Sequence, residues 1–329
     1  MSKPHISVII TAYNRKDFIK EAIQSVLDQT LDKNFYEIIV VKNFRTPLDQ
    51  KWRKNRVKLI YKPEGSIGEF LSAGILHARG EIIAFLDDDD TFTKNKLETV
   101  YSIFLNNKDL GYYHNDYKII YGSNSPTNSF TMQNIKNKLL THIDDTSGIY
   151  KFILLSAYFT LSCVAIKREL ALSNVGYLKK IISNQDDFFA YAAIASRNKI
   201  ICDNLILTNY RVHKKNTSIS AYNGVHNQGY NRYVKMSDLF EKMLYNNKSK
   251  KNLKVLHAKS IRNKMNNAVL NQERIKLEDI INYIKIYSIP FLIYCRKFDL
   301  FLSLIILSLM DKKLAQHILA RRQDISNLI

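Results

Sequence analysis

Cysteine is scarce. Three residues, Cys163, Cys202 and Cys295, lie far apart, odd in number and without a CxxC pair. A disulfide framework and a cysteine zinc site are excluded on that ground, and a reducing compartment is expected. Glycine and proline are also few, 10 and 5 in 329 residues, which excludes a collagen-like chain. No clean run of about 20 apolar residues occurs, so a multi-pass membrane protein is not expected. Met1 to His5 leads straight into a strand-like run, with no charged n-region, apolar h-region and cleavage site. The expectation is therefore no signal peptide and a cytoplasmic protein. Acid is short as well: 30 Asp+Glu stand against 49 Lys+Arg, a formal net charge of +19.

What is present is ample material for a core. Hydrophobic residues make up 46% of the chain, which excludes intrinsic disorder and suits one large domain or two ordinary ones. The charge is uneven. Residues 1–210 hold 27 basic and 22 acidic side chains, whereas residues 211–329 hold 22 and 8, a net of +14. The second region should be drawn to something anionic: a lipid surface, a nucleic acid or a phosphorylated substrate.

Short apolar runs punctuate the first region. Residues 6–11, 37–41, 57–61 and 81–86 read as buried strands, and the first and last are Ile-Ser-Val-Ile-Ile-Thr and Glu-Ile-Ile-Ala-Phe-Leu. Phe18, Ile19, Ala22, Ile23, Val26 and Leu27 recur at helical spacing behind Asn14 and Asp17, and residues 67–78 suit another helix. This βαβ alternation predicts a parallel sheet with helices on both faces. Ligands of such sheets bind outside the carboxyl ends of the strands. Thr11-Ala12-Tyr13-Asn14 and Asp87–Asp90 both fall there and should share one crevice.

Beyond Asp90 the pattern is mixed. A helix is expected over 94–106, strands over 111–121 and 158–167, a loop over 122–131, a helix after Gln185 and extended chain over 200–212. From about 225 the chain reads as helical and basic. Two apolar stretches, Ile286–Cys295 and Leu300–Met310, flank Arg296, Lys297 and Asp299. Each is about 15 Å long as a helix, half of a hydrocarbon core of about 30 Å. They are expected to lie in a membrane interface or to pack as a helical pair.

Four consecutive aspartates after a buried strand repel one another unless a cation is shared. A hard divalent cation, Mg2+ or Mn2+, resolves the conflict, since it takes one or two carboxylates and completes its shell with substrate phosphates. The bland alternative is a solvated loop that caps the next helix.

Four segments in order carry a resemblance. They are Ile6-Ser-Val-Ile-Ile-Thr-Ala-Tyr-Asn-Arg15, the run Gly74 to Asp90, Asn184-Gln-Asp-Asp-Phe-Phe189, and Tyr210-Arg-Val-His213 followed by Ser218. Together they make the first 213 residues resemble the family 2 glycosyltransferases of the GT-A fold. That resemblance implies an α/β fold over 1–215, with a basic helical region over 216–329. It implies an inverting transfer of a sugar from a nucleotide-sugar donor, UDP- or GDP-linked, to a hydroxyl of a glycan or lipid-linked acceptor. Thr11, Ala12, Tyr13, Asn14 and Arg15 would line the donor site, Asp87 would contact the ribose, and Asp88 would assist. Asp89, with Asp87 and His213, would hold the metal. Arg79 would belong to the segment packed beneath the nucleotide. The general base would be Asp186 or its neighbour Asp187.

The second strand departs from the pattern. The family commonly ends it in an acidic pair, one member of which reads the base; here Lys42-Asn43 follows Val41. Asn43 is expected to meet a base edge and Lys42 a phosphate. His114-Asn115-Asp116 would form a polar turn or line the acceptor side. The basic tail suggests an anionic membrane surface at the inner face of the cell membrane. No nucleic-acid partner is expected, because no helix-turn-helix, zinc or RNP-like signature accompanies the charge. The alternatives to a transferase are a catalytically silent GT-A-like binding scaffold and, ranked below it, a basic nucleic-acid-binding protein.

Overall fold

The computed structural model describes residues 3–122, 142–143, 148, 152, 158–196, 198–213 and 274–287, with isolated helical positions at 236, 239–240, 261, 265, 268, 292 and 305. The chain divides into two compact units, 1–148 with 156–213, and 149–155 with 214–329.

The first unit is built on β1 (Ile6–Ala12), every residue of which is buried. A strand covered on both faces belongs in the middle of a sheet, and β1 pairs in parallel with β2 (Tyr36–Lys42) on one side and β4 (Ile82–Asp87) on the other. β3 (Val57–Tyr61) extends the parallel part beyond β2. On the far side β4 meets β8 (Val164–Lys167) antiparallel, and the order runs β3-β2-β1-β4-β8-β6-β9-β5. Here β5 is Thr91–Phe92, β6 Leu110–Tyr121 and β9 Lys199–Val212, while β7 (His142–Ile143) pairs with β9 off this path. Chain order reverses between β1 and β4, which is the switch point where such sheets open a crevice.

Period-two alternation decides which helix covers which face. Val8, Ile10, Ala84 and Leu86 join one core with Ile19, Ala22, Ile23 and Val26 of α1 (Ile19–Leu27) and with Leu97, Val100 and Phe104 of α4 (Lys96–Asn106). Ile9 and Phe85 point the other way. Ile9 lies beneath Gly74 of α3 (Ile67–His77), where an added Cβ would come within 2.6 Å of its side chain. Phe85 stacks on Phe189 of α7 (Gln185–Ser196) at 4.6 Å between centroids. Ser66 and Glu69 close a capping box that fixes the start of α3.

The expected strands and the helices over 67–78 and 94–106 are present within one or two residues. Three features differ. Asn14 and Asp17 do not start α1, because Asn14 sits in the left-handed region (φ 57°) and turns the chain before Ile19. A short helix, α2 (Asp49–Lys54), carries Trp52 into the core, where it is 4% exposed. The strand expected over 158–167 is shorter: a 3-10 turn, Leu161–Cys163, precedes β8. Two short helices follow, α5 (Arg168–Ser173) and α6 (Val175–Leu178).

In the second unit, α8 (Leu277–Ile286) is described; most of 216–329, and the stretches expected over 286–310, lie outside the described residues apart from isolated positions. Among the described residues no helix is long and apolar enough to cross a membrane.

Candidate active site

The crevice forms where β1 and β4 end side by side. Thr11 is the register partner of Asp87, so the chain leaves both strands at one level. Asp87 is the last residue of β4, and its N–H donates to Ser162 Oγ at 3.0 Å. The next three aspartates turn back toward β9. Arg211 holds that turn from behind. It is 2% exposed; its N–H donates to Asp90 Oδ1 (2.8 Å) and its Nε to the Asp89 carbonyl (2.8 Å), while Nη2 pairs with Glu21 at 2.7 Å.

Arg15 enters the acidic turn from the β1 end. Its Nε donates to Asp88 Oδ1 at 3.1 Å, and its Nη2 contacts Asp88 and lies 2.8 Å from Asp89 Oδ2. His213, just past β9, brings Nε2 to 3.0 Å from the same Asp89 oxygen. One guanidinium does not neutralise so much acid. Burial, then the charges of Asp89 and Asp88, push the Asp87 carboxyl up to about 8. Burial outweighs the Arg15 bond at Asp88 and lifts it to about 6. Asp90 is raised well above its ordinary value by burial and by Asp89 and Asp87. A site whose carboxylates resist ionising together favours an added cation.

The side chains present fit a divalent metal of limited protein ligation. Asp89 and His213 already share a point, but among the described residues no three His, Cys, Asp or Glu groups converge as a cage. Asp87 therefore does not complete a three-donor set with them among the described residues. A carboxylate and an imidazole, completed by diphosphate and water oxygens, suit Mg2+ or Mn2+.

A second acidic pair, Asp186 and Asp187, opens α7. Asn184 takes the left-handed region (φ 61°) and aims the first helical turn. Asp187 is 5% exposed, accepts from Asn184 Nδ2 at 3.2 Å and is hydrogen-bonded with Tyr158. Asp186 is only half-buried, and its charge is the smallest of those acting on the Asp87 carboxyl. The two neighbours thus differ in burial: Asp187 is buried against Asn184 and Tyr158, whereas Asp186 is half-buried and accepts from the Asp187 N–H at 3.0 Å. Gly68 keeps that segment close. A Cβ there would lie 1.9 Å from the Leu178 carbonyl, and its N–H donates to Ile181 at 3.0 Å.

The profile of Glycosyl transferase family 2 matches residues 7–160. An uncharacterised glycosyltransferase of Rickettsia typhi is 27% identical over 225 residues, 67% of this chain and 68% of its own. The putative teichuronic acid biosynthesis glycosyltransferase TuaG of Bacillus subtilis is 35% identical over 103 residues, 29% of this chain and 40% of its own. Among solved structures, S. aureus TarS 1–349 in complex with UDP-GlcNAc is similar in fold. Its TM-score is 0.59 at 19% identity, over 91% of this chain and 90% of that one. A longer TarS chain is spanned over 53% of its length, so this protein covers about half of it. Residues 7–160, just under half of the chain, are thus similar to glycosyltransferase family 2, and the fold is similar to that of TarS.

The family match takes in the acidic turn, Arg15 and Asn43 and stops short of Asp186, Arg211 and His213. Around this crevice the other expected residues are unequal. Thr11 and Ala12 are buried within β1, whereas Tyr13 is half-exposed and packs edge-on against Phe70 at 5.5 Å. Asn43 reaches the mouth but bonds Asn14 twice, accepting from its N–H at 2.8 Å and donating to its Oδ1 at 2.7 Å.

Lys42 corrects the expectation of a phosphate contact. It points to the far face of β2, pairs with Asp49 at 2.5 Å and lies 5.1 Å and 5.2 Å from the Phe44 and Trp52 ring centroids. Arg79 corrects another. It precedes β4, at the amino ends of the strands, and pairs with Glu37 at 3.1 Å on the edge opposite the aspartates. His114, Asn115 and Asp116 lie within β6 and are buried, neither a turn nor an exposed acceptor rim.

Sequence reasoning missed Arg211, Lys96 and Ser162. Arg211 stood in the quoted Tyr210-Arg-Val-His213 segment, next to His213, and was the one legible signal. Ser162 had none, because its partner is a main-chain N–H 75 residues away.

Proposed function

We propose that this protein transfers a sugar from a nucleotide-sugar donor to a hydroxyl of a cell-envelope glycan or lipid-linked acceptor, with inversion and with Mg2+ or Mn2+. One observation carries the reading: four aspartates follow β4 at the sheet's switch point, and the half-buried Asp186 lies near enough for its charge to raise the Asp87 carboxyl. Asp186 takes the proton of the acceptor hydroxyl. The freed oxygen attacks the anomeric carbon from the face opposite the diphosphate, the carbon–oxygen bond to the diphosphate breaks, and the nucleoside diphosphate leaves. Asp87 holds the ribose, and Arg15 lies where it can exchange an aspartate for a diphosphate oxygen. Asp89 and His213 would hold the metal, which supplies charge stabilisation to the departing diphosphate.

A UDP-sugar is the first donor to try, given the UDP-GlcNAc bound by TarS, and the printed role of TuaG supports an envelope polysaccharide as acceptor. The +14 charge beyond Tyr210 supports docking on an anionic membrane at its inner face, where each Lys or Arg contributes about 1 kcal/mol. Exposed Leu277 and Ile281, four residues apart on α8, add an apolar contact.

A panel of UDP- and GDP-sugars with and without Mn2+ tests the chemistry. Turnover that needs the metal and yields the inverted anomer is the expected result; turnover unaffected by chelation removes the metal from the reading. Flotation with anionic and neutral liposomes tests the membrane part, and equal recovery with both would end it.

A further inference from the structure

Lys96 opens α4 with its side chain turned inward and 0% exposed. A buried ammonium ordinarily has a carboxylate partner. This one has none within ion-pair distance among the described residues. Its Nζ donates to the Ser162 carbonyl at 2.5 Å and to Thr208 Oγ1 at 2.9 Å, and lies 4.0 Å from the Phe92 ring centroid. Burial pulls the amine down to about 7 against the weaker attraction of Cys163, Asp90 and Asp203. Its place at the positive end of α4 also disfavours charge. The group serves as a hydrogen-bond donor rather than as a counter-ion.

What it donates to lies one bond from the site. The Ser162 carbonyl also accepts from Thr208 Oγ1 at 3.1 Å, and Thr208 Oγ1 accepts from Asn115 Nδ2 at 3.0 Å. Both lone pairs of the carbonyl are thus engaged, and the turn Leu161–Cys163 is pinned between α4 and β9. That turn presents Ser162 Oγ to the N–H of Asp87. The path from Lys96 to the donor-binding turn is therefore continuous: amine, Ser162 main chain, Ser162 hydroxyl, Asp87 backbone. An apolar side chain of equal length would fill the space and leave the carbonyl with one donor fewer.

We infer that Lys96 is a positioning residue for donor binding, acting through Ser162 on the backbone of Asp87. The inference rests on the reading that Asp87 contacts the donor. Its signature is a split between KM and kcat, because the acceptor-activating Asp186 is on another element.

The test uses the full-length chain, with steady-state kinetics for the nucleotide sugar and a thermal melt for each variant. Lys96→Met should raise donor KM about tenfold and leave kcat within about twofold. Ser162→Ala keeps Lys96 and the Ser162 carbonyl in place, so it remains informative if Lys96→Met does not fold. It should raise donor KM similarly with little change in melting temperature. The double variant should be no worse in KM than either single one, since both act on one path. Additive losses, or a normal donor KM in folded Lys96→Met, would overturn the inference. Asp87→Ala separates the two levels. If it leaves donor KM unchanged, the donor-contact reading fails; if it raises KM while Ser162→Ala does not, the Lys96 path alone fails.

Discussion

The two ends of the same parallel strands use the same chemistry to opposite ends. At the amino edge, Glu37 is fully engaged. It accepts from Ser7 Oγ (2.7 Å) and from the N–H and Nε of Arg79 (2.6 and 3.1 Å), and Ser7 Oγ in turn accepts from Gly80. One carboxylate meets one guanidinium, and nothing is left over. At the carboxyl edge, four aspartates meet Arg15, Arg211 and His213, and three of the carboxylates are raised by burial and by one another. The first arrangement is closed; in the second, burial and mutual repulsion would be relieved by a further cation. A carboxylate–arginine pair by itself thus says little about function, and the excess of one sign at the strand ends says much.

The widest separation between the edges should appear in turnover. Asp186→Asn and Asp89→Asn should each lower kcat/KM about a thousandfold or more, read with the best donor of the panel. Full activity in Asp186→Asn would shift the base role to Asp187. Next comes Arg211→Met, which leaves the acidic turn without its buried strut. A loss of about 3–5 kcal/mol in urea unfolding is expected, and a loss below about 1 kcal/mol would show that the turn holds itself.

Asp49→Asn is smaller, about 2–3 kcal/mol, because it strands Lys42 at the end of β2. This effect depends on pH. Burial alone would raise the Asp49 carboxyl, but the Lys42 ammonium and the Thr46 hydroxyl outweigh it and hold it below its ordinary value. A depressed carboxyl contributes its stability above its unfolded value and loses it as pH falls through the folded one. The gap between wild type and Asp49→Asn should therefore hold above the ordinary carboxyl value of 3.8 and close as pH falls below it. A gap that stays constant would detach it from the ion pair. Smallest is Arg79→Met at the amino edge. With a side chain 62% exposed, it should cost at most about 1 kcal/mol and leave donor KM untouched. A large rise in KM would return Arg79 to the donor site.

Much of the parallel half was legible. β1, β2 and β4 are short apolar runs that suit a doubly covered sheet, and the Asp cluster sits where such a run stops. The choice between Asp186 and Asp187 was not legible. Adjacent residues at a helix start differ only in direction, and it took Tyr158 and Asn184 to show which one is committed to packing. Lys42 and Arg79 were misread for one reason. A basic residue near a motif has the same letter whether it faces the crevice, the far side of a strand or the wrong end of the sheet.

By itself the sequence determined the strand alternation, the acidic turn and the separation of a basic tail, because hydrophobic period and residue type are local properties of the chain. The tertiary structure alone decided which charges meet. Arg15 reaches Asp88 across 73 positions and Arg211 reaches Glu21 across 190. Those contacts exist only once the sheet brings the strand ends to one edge and burial fixes each side chain's direction.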